Sequence, residues 1–550
     1  MQPLEKIFTE SRETMNFRDL PLIFSFMKNL LPIIKSACLA AVAVLIVSCG
    51  GGADYRNVLP ADSFMTVSVN AASLMEKSGS CDAAQNPLFN RLKAELDKAE
   101  NLSAEETEYL LSLLENPAES GLDLKKDLFL FMSMGGADIN NPEVSGGVLF
   151  PVGDKAKLDA LIARVNEKSG TETVTENGVS VVKIGEESAE SGVCAYNDIA
   201  CMLFFRTNPC GGIEAKVREL FAQKQDQSLM GNKAIAAQLA GQNDVNVVMS
   251  YANASFLTNN PMLSTMPMMD ILKGSAMIGS LNFEKGSVVC NATMAYEDKE
   301  SEKKAMEYYA YVKPQTGDLL RYVPANTIGT VSYGLDGEKL YAMVAAMPGY
   351  GMMLTNPMIK QVMDAFNGDC VISFSGITAD GRYPIGSVLA QVKDPVVLQT
   401  IVTSLAGMPI QQTAEGEYLF SMGDISVLFG VKGNVFYCTT DAAVKSALDG
   451  VDFESLASLD RIVKGKSGTF YLDFKGVNAL VAQFAGANDT PQVEAVFSIL
   501  GIFDNMEAYG TMEGGTFVVN MTDKEQNAFK TICNKTGELI RQYVPEAGDL

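Results

Sequence analysis

Histidine and tryptophan are both absent from the 550 residues. Without histidine there is no Ser-His-Asp triad, no Cys-His pair and no imidazole ligand for a metal. Without tryptophan the best platform for stacking a sugar or a cation is missing. The sequence also lacks a Walker loop, a G-x-S-x-G elbow, a C-x-x-C pair and a dinucleotide fingerprint. What remains open to an enzyme is carboxylate or Lys/Tyr chemistry. Positive charge is in deficit, with 43 Lys and Arg against 66 Asp and Glu, a net charge of −23. Residues 1–48 hold five of the former and four of the latter, so the remainder carries 38 against 62, or −24. An acidic surface repels phosphate backbones, so nucleic acid is not an expected partner. No cofactor and no bound metal ion are expected.

What is present begins with an address. Lys28 and Lys35 precede an apolar run from Ala37 to Val47, which ends Leu45-Ile46-Val47-Ser48-Cys49-Gly50. A basic segment, a short apolar segment and a small residue before a cut describe a secretory signal over residues 1–48. Residues 1–26 read as an unused upstream start or an unusually long basic region. Cys49 after Ile-Val-Ser resembles a bacterial lipobox, whose thiol takes a diacylglyceryl group and whose new amine is acylated after cleavage. A membrane span would need about 20 apolar residues, and Lys35 interrupts this run. Several acyl chains give stable anchoring, so the expected partner is a membrane held through Cys49. The residues that follow, Gly-Gly-Gly-Ala-Asp, lack the acidic run that resembles surface-export signals, which favours the periplasmic side of an outer membrane.

After this address the chain repeats itself. Arg56–Val69 (RNVLPADSFMTVSV) and Arg321–Tyr333 (RYVPANTIGTVSY) share Pro-Ala and Thr-Val-Ser at matching spacing, and related strands stand at Asn246–Tyr251 and Gly468–Phe474. Repetition is the first clue to architecture. Helix starts recur with it: Asn86-Pro87, Asn260-Pro261, Asn356-Pro357 and Thr490-Pro491, besides a capping box at Ser103/Glu106 and caps at Asp154 and Asp394. The pattern predicts β-α-α-β-β-α four times, with a hairpin inserted after the first and third units. Residues 49–56 form a lipidated linker, 57–312 a first half and 321–543 a second, joined through Lys313–Gly317. The expected class is α+β, with largely antiparallel sheets packed by helices. A lipobox followed by this duplicated, acidic pattern and the Pro-Ala…Thr-Val-Ser stretch resembles a domain-of-unknown-function lipoprotein family of the Bacteroidota. The resemblance implies an envelope lipoprotein and brings no catalytic residues with it.

Ten cysteines include Cys38 and Cys49, and eight lie beyond them. Cys194 and Cys201 face each other if Asn197-Asp198 is a two-residue turn, within reach of a disulfide; as thiols they are small core hydrophobes, like Cys370 where the first half has Leu128. Acidic clusters at Glu105/Glu106/Glu108 and Glu297/Asp298/Glu300/Glu302 sit at helix starts, where they oppose the dipole, and none has the spacing of a calcium loop. Methionine is concentrated in units two and three, at Met262, Met266 and Met269 and at Met343, Met353 and Met358. These either fill the core between halves or line an adaptable apolar groove at their seam. The functional expectation is a non-enzymatic binding or structural module of the cell envelope. The alternatives are a hydrolase using two carboxylates and a carrier of an apolar ligand or protein segment at the seam.

Overall fold

The computed structural model describes residues 54–79, 103–135, 143–184, 190–207, 212–254, 267–347, 354, 356–379, 381–422, 425–485 and 491–543. The first elements are β1 (Met65–Val69), α1 (Ala71–Ser78), α2 (Ala104–Glu115), β2 (Leu128–Gly135), β3 (Glu143–Pro151) and α3 (Lys155–Ser169). A four-stranded meander follows, β4 (Thr173–Glu176), β5 (Val179–Ile184), β6 (Glu190–Tyr196) and β7 (Ala200–Thr207), then α4 (Ile213–Ala222) and α5 (Lys233–Leu239). Next come β8 (Val245–Ser250), α6 (Pro267–Leu272), β9 (Ser275–Glu284), β10 (Ser287–Tyr296), α7 (Lys299–Tyr308) and the two-residue β11 (Val312–Lys313).

The chain continues with β12 (Gly329–Asp336), α8 (Gly337–Ala345), α9 (Pro357–Ala365), β13 (Phe366–Ile377), β14 (Pro384–Val392) and α10 (Val397–Ser404). A second meander is β15 (Ile410–Ala414), β16 (Glu417–Met422), β17 (Ile425–Lys432) and β18 (Val435–Thr439), followed by α11 (Ala442–Leu448) and the single turn α12 (Asp460–Val463). The last elements are β19 (Gly468–Asp473), α13 (Phe474–Ala485), α14 (Pro491–Leu500), β20 (Phe503–Gly510), β21 (Gly514–Met521) and α15 (Ala528–Tyr543).

All strand pairs are antiparallel, and together they make one sheet. Its order is β4-β5-β6-β7-β3-β2-β1-β8-β9-β10-β21-β20-β19-β12-β13-β14-β18-β17-β16-β15, with β11 beside the end of β12. The α+β class with a large antiparallel sheet is therefore observed. The sheet is continuous through β10 and β21, where Asn291 faces Thr516.

Local sequence explains most element starts. Ser103 and Glu106 form both bonds of the expected capping box on α2. The Asp154 carboxylate accepts from the backbone amides of Ala156 and Lys157 at the head of α3, and Asn356 caps α9 with proline in its first turn. The two Pro-Ala…Thr-Val-Ser stretches behave alike. Tyr55–Val58 and Asp318–Tyr322 are short 3-10 helices, and Pro60 bridges to Ser228 as Pro324 bridges to Ser455. Aliphatic residues leading into each strand are buried: Val58 and Leu59 on one core with Phe129, Leu149, Met202 and Ile235, Leu320 and Val323 on another with Val371, Leu389 and Ile462. Full burial of one such side chain stabilises by about 1.5–3 kcal/mol. Both cores lie on the face of the sheet toward which Thr66, Ser68, Thr330 and Ser332 point, because alternate residues share a face. The opposite face is packed by α1–α3, by α9 and α10, and by α15 over Leu281 and Val519.

Two expectations need correction. The meanders hold more strand than one inserted hairpin each, since β4 lies outside β5, and β15 and β16 lie outside β17. The tight turn of the β6–β7 hairpin is Asp198-Ile199 rather than Asn197-Asp198. The Asn197 side chain accepts from the amides of Ile199 and Ala200, and its own amide donates to the Ala200 carbonyl, which moves the turn on by one residue. Cys201 then faces Tyr196, and Cys194 faces Leu203.

Candidate functional site

The face of the sheet carrying Val67 holds two rows of residues that register assembles from distant parts of the chain. Met132, Met65, Met249, Met277 and Met294 stand side by side on β2, β1, β8, β9 and β10. All five are partly exposed. The next row on the same face runs Leu130, Val67, Val247, Gly279, Ala292, Gly515, Gly510, Gly468 and Tyr333. The five positions from Gly279 to Gly468 carry no side chain beyond a methyl group, and Leu130 at the end of the row is 43% exposed.

At the Tyr333 end this row opens into a cleft of 260 Å³ lined by Tyr311, Val312, Tyr333, Gly334, Leu335, Leu340, Ser467 and Gly468. The cleft sits where the connection carrying β11 crosses β12. Glycine is required at 334, because a Cβ there would stand 2.2 Å from the Lys313 carbonyl oxygen. At Gly468 a Cβ would meet nothing within 4 Å, so the floor of the cleft is open. Aromatic rings extend from it: Tyr309 lies 6.3 Å from Tyr311 and 5.0 Å from Tyr308, centroid to centroid. Burial, then the neighbouring tyrosines, raises the hydroxyls of Tyr309 and Tyr311 above the ordinary range. Burial and a hydrogen bond to Cys370 push Tyr333 up to about 12. At neutral pH these groups are proton donors and not bases.

The sequence-predicted positions fall in several places. Cys49, Met262, Met266 and Met353 lie outside the described residues. Met269 is buried, while Met343 and Met358 are partly exposed on α8 and α9. These three do not share one surface. Met269 belongs to the helix packed on β9, whereas α8 and α9 pack on β12 and β13. From β9 to β12 is five strand steps, about 24 Å along the sheet. The sheet passes from residues 57–312 to residues 321–543 through the β10–β21 pair. Cys194 and Cys201 are buried free thiols with sulfurs 3.9 Å apart. Their diagonal placement, rather than the directly opposite one expected, separates the backbones further than a disulfide favours. The adjoining Cys194 thiol and burial hold Cys201 well above the usual thiol range. Glu105 and Glu106 pair with Arg164 and Lys168 on α3, a surface role.

Sequence reading missed the methionine row and the glycine-floored cleft. The signal for the first was phase: Met65, Met249, Met277 and Met294 each occupy the same alternation within a strand. Among the described residues, no group of three His, Cys, Asp or Glu side chains is placed to hold a metal ion. No helix among them is long and apolar enough to cross a membrane. No curated protein matches the chain, and no solved structure does. One family profile, described as a domain of unknown function (DUF4836), matches residues 55–507. The match spans most of the chain, which therefore belongs to the DUF4836 family.

Proposed function

We propose that this chain is a non-catalytic binding module of the bacterial cell envelope, anchored through lipidated Cys49, that takes a small apolar or aromatic ligand in the cleft beside β11. The observation that carries this reading is the cleft itself. Among the described residues its lining is aliphatic and aromatic, with the Ser467 hydroxyl as the one polar side chain beside the phenols and no carboxylate. Ligand sites are commonly concave, apolar and sparing in polar groups, whereas hydrolysis by two carboxylates needs an acid–base pair about 5–10 Å apart. The strand order supports an internal duplication, since it reads the same from either end with β10 and β21 at its centre. The order strand-helix-helix-strand-strand-helix from β12 to α10 and from β19 to α15 supports it too. On this reading the two halves join through equivalent strands, as protomers of a two-fold dimer do.

Gly468→Phe tests the cleft. Gly468 is opposite Gly510 and Tyr333 in extended backbone, so the ring enters the cleft and pairs with Tyr333, a favourable cross-strand contact. The variant should melt within a few degrees of wild type and lose at least tenfold in affinity for an environment-sensitive naphthalene dye. Dye binding that persists in the variant, or a wild type that binds none, removes the cleft from consideration. Anchoring is tested separately: Cys49→Ala should leave an uncleaved precursor that takes up no labelled fatty acid. A mature N-terminus elsewhere than Cys49 would contradict it.

A further inference from the structure

We propose that the methionine row is a soft-cation site that binds copper(I), or another monovalent ion of the same class, through thioether sulfur. Met65 is directly opposite Met132 on one side and Met249 on the other, and Met277 is directly opposite Met249 and Met294. Directly opposed residues hold their Cβ atoms about 4.5–5.5 Å apart. Three sulfurs about 2.3 Å from one ion, the scale of a zinc–thiolate bond, stand about 4 Å from one another. Methionine has three rotatable bonds beyond its backbone, so neighbouring thioethers reach that separation by leaning together. The row therefore supplies three-coordinate sites without movement of the strands.

The choice of ion follows from the ligands. Thioether sulfur selects soft ions, copper(I) among them, while carboxylate and carbonyl oxygen suit magnesium and calcium. Beside the row on its inner side stand Leu130, Val67, Val247, Gly279 and Ala292. None offers an oxygen or nitrogen from its side chain; on the outer side Ser275 faces Tyr296, and the Ser275 hydroxyl is already engaged with the Leu272 carbonyl. Strand propensity does not account for the composition either, because β-branched and aromatic residues favour these positions. The row that mirrors it across β13, β12, β19 and β20 reads Phe374, Gly329, Leu472 and Met506. The fold is satisfied there with a single methionine.

Leucine separates this proposal from plain packing, since Met→Leu keeps volume and apolarity but removes the sulfur. The full chain, labelled at its methionine methyl groups, would be titrated with silver(I), an air-stable analogue of copper(I), and followed by NMR. Copper(I) affinity would be measured against a chromophoric chelator under reduction. The methyl resonances of Met65, Met249 and Met277 should shift, and Met249→Leu should weaken copper(I) binding at least tenfold. Met65→Leu/Met249→Leu/Met277→Leu should retain one ion fewer than wild type by native mass spectrometry, with unchanged circular dichroism. Thiols are common to all variants and cancel in the comparison. Identical loading of wild type and Met249→Leu, or silver(I) shifts confined to residues near cysteine, would overturn the proposal. Uptake of zinc(II) or calcium(II) at the row in place of copper(I) would overturn it as well.

Discussion

Asp244→Ala should be the most damaging single substitution, lowering the unfolding free energy by about 3–5 kcal/mol, the range for breaking a buried charge pair by removing one partner. Asp244 is 1% exposed on the turn leading into β8. Its carboxylate accepts from the Ser73 hydroxyl at 2.5 Å, the Lys77 ammonium at 2.7 Å and the backbone amide of Phe283 at 2.7 Å. Its own carbonyl accepts from the amide of Asn70, which caps α1. One side chain thus fastens α1 to β8 and β9, residues far apart in sequence. Alanine leaves three donors facing an apolar methyl, and each unmet buried donor costs about 1–3 kcal/mol. Asp244→Asn keeps an oxygen for one or two of them and should cost roughly half as much. Urea unfolding of the three proteins gives the comparison. A loss below about 1 kcal/mol for Asp244→Ala would show that Lys77, still 27% exposed, and Ser73 turn to water instead.

How much of this was legible beforehand depends on whether the cause was local. Ser103 with Glu106, Asp154, and Asn356 with Pro357 each act within one helical turn, and each was found where the sequence put it. The strands β5, β8, β10 and β14 advertise themselves by valine-containing apolar segments. β4 and β15 do not, because Thr173–Glu176 is exposed at every position and Gln411–Ala414 likewise. The Asn177-Gly178 turn was a usable sign of β4, since Asn-Gly supplies the two positive φ angles, 52° and 79°, of a two-residue hairpin. The β6–β7 turn was misplaced by one residue because Asn197 can lead a turn or sit within it, and only its side-chain bonds decide. Pairing between distant strands was harder still. β1 joins β8 and β10 joins β21 over long separations, and alternation says which face a residue takes without saying which strand lies beside it. The methionine row and the cleft depend wholly on that second kind of information. A composition bias in Met262 to Met358 pointed toward a shared groove, whereas of its described members Met269 packs on β9 and Met343 and Met358 lie on helices at β12 and β13.

Asp369 and Asp127 stand at matching positions, each preceding the buried residue of its strand that packs behind a Thr-Val-Ser stretch, and they should respond oppositely to neutralisation. Asp369 accepts from the Thr316 amide at 2.9 Å, the Thr316 hydroxyl at 2.8 Å and the Gly317 amide at 2.8 Å, which pins the connection between β11 and β12. Hydrogen bonds to charged groups contribute about 1.5–3 kcal/mol each net of exchange with water, and bonds sharing one partner do not add in full, so Asp369→Ala should cost about 2–4 kcal/mol. Amide exchange at Thr316 and Gly317 should quicken in the same variant. Asp127 has no such set of donors. Burial pushes its carboxyl up to about 6, against the opposing influence of Arg56 and a hydrogen bond from Ser68. A folded value above the unfolded one means that the native state holds more protons between about pH 4 and 6. Stability from this group is present below that window and is lost as pH rises through it. Asp127→Asn removes the dependence, so the wild type should gain on the variant as pH falls from 7 to 4, by about 1–2 kcal/mol because the group is partly open to water. Melting both proteins across this range tests the sign. A wild type that instead loses ground to Asp127→Asn on acidification would mean that Arg56 and Ser68, and not burial, govern the carboxyl.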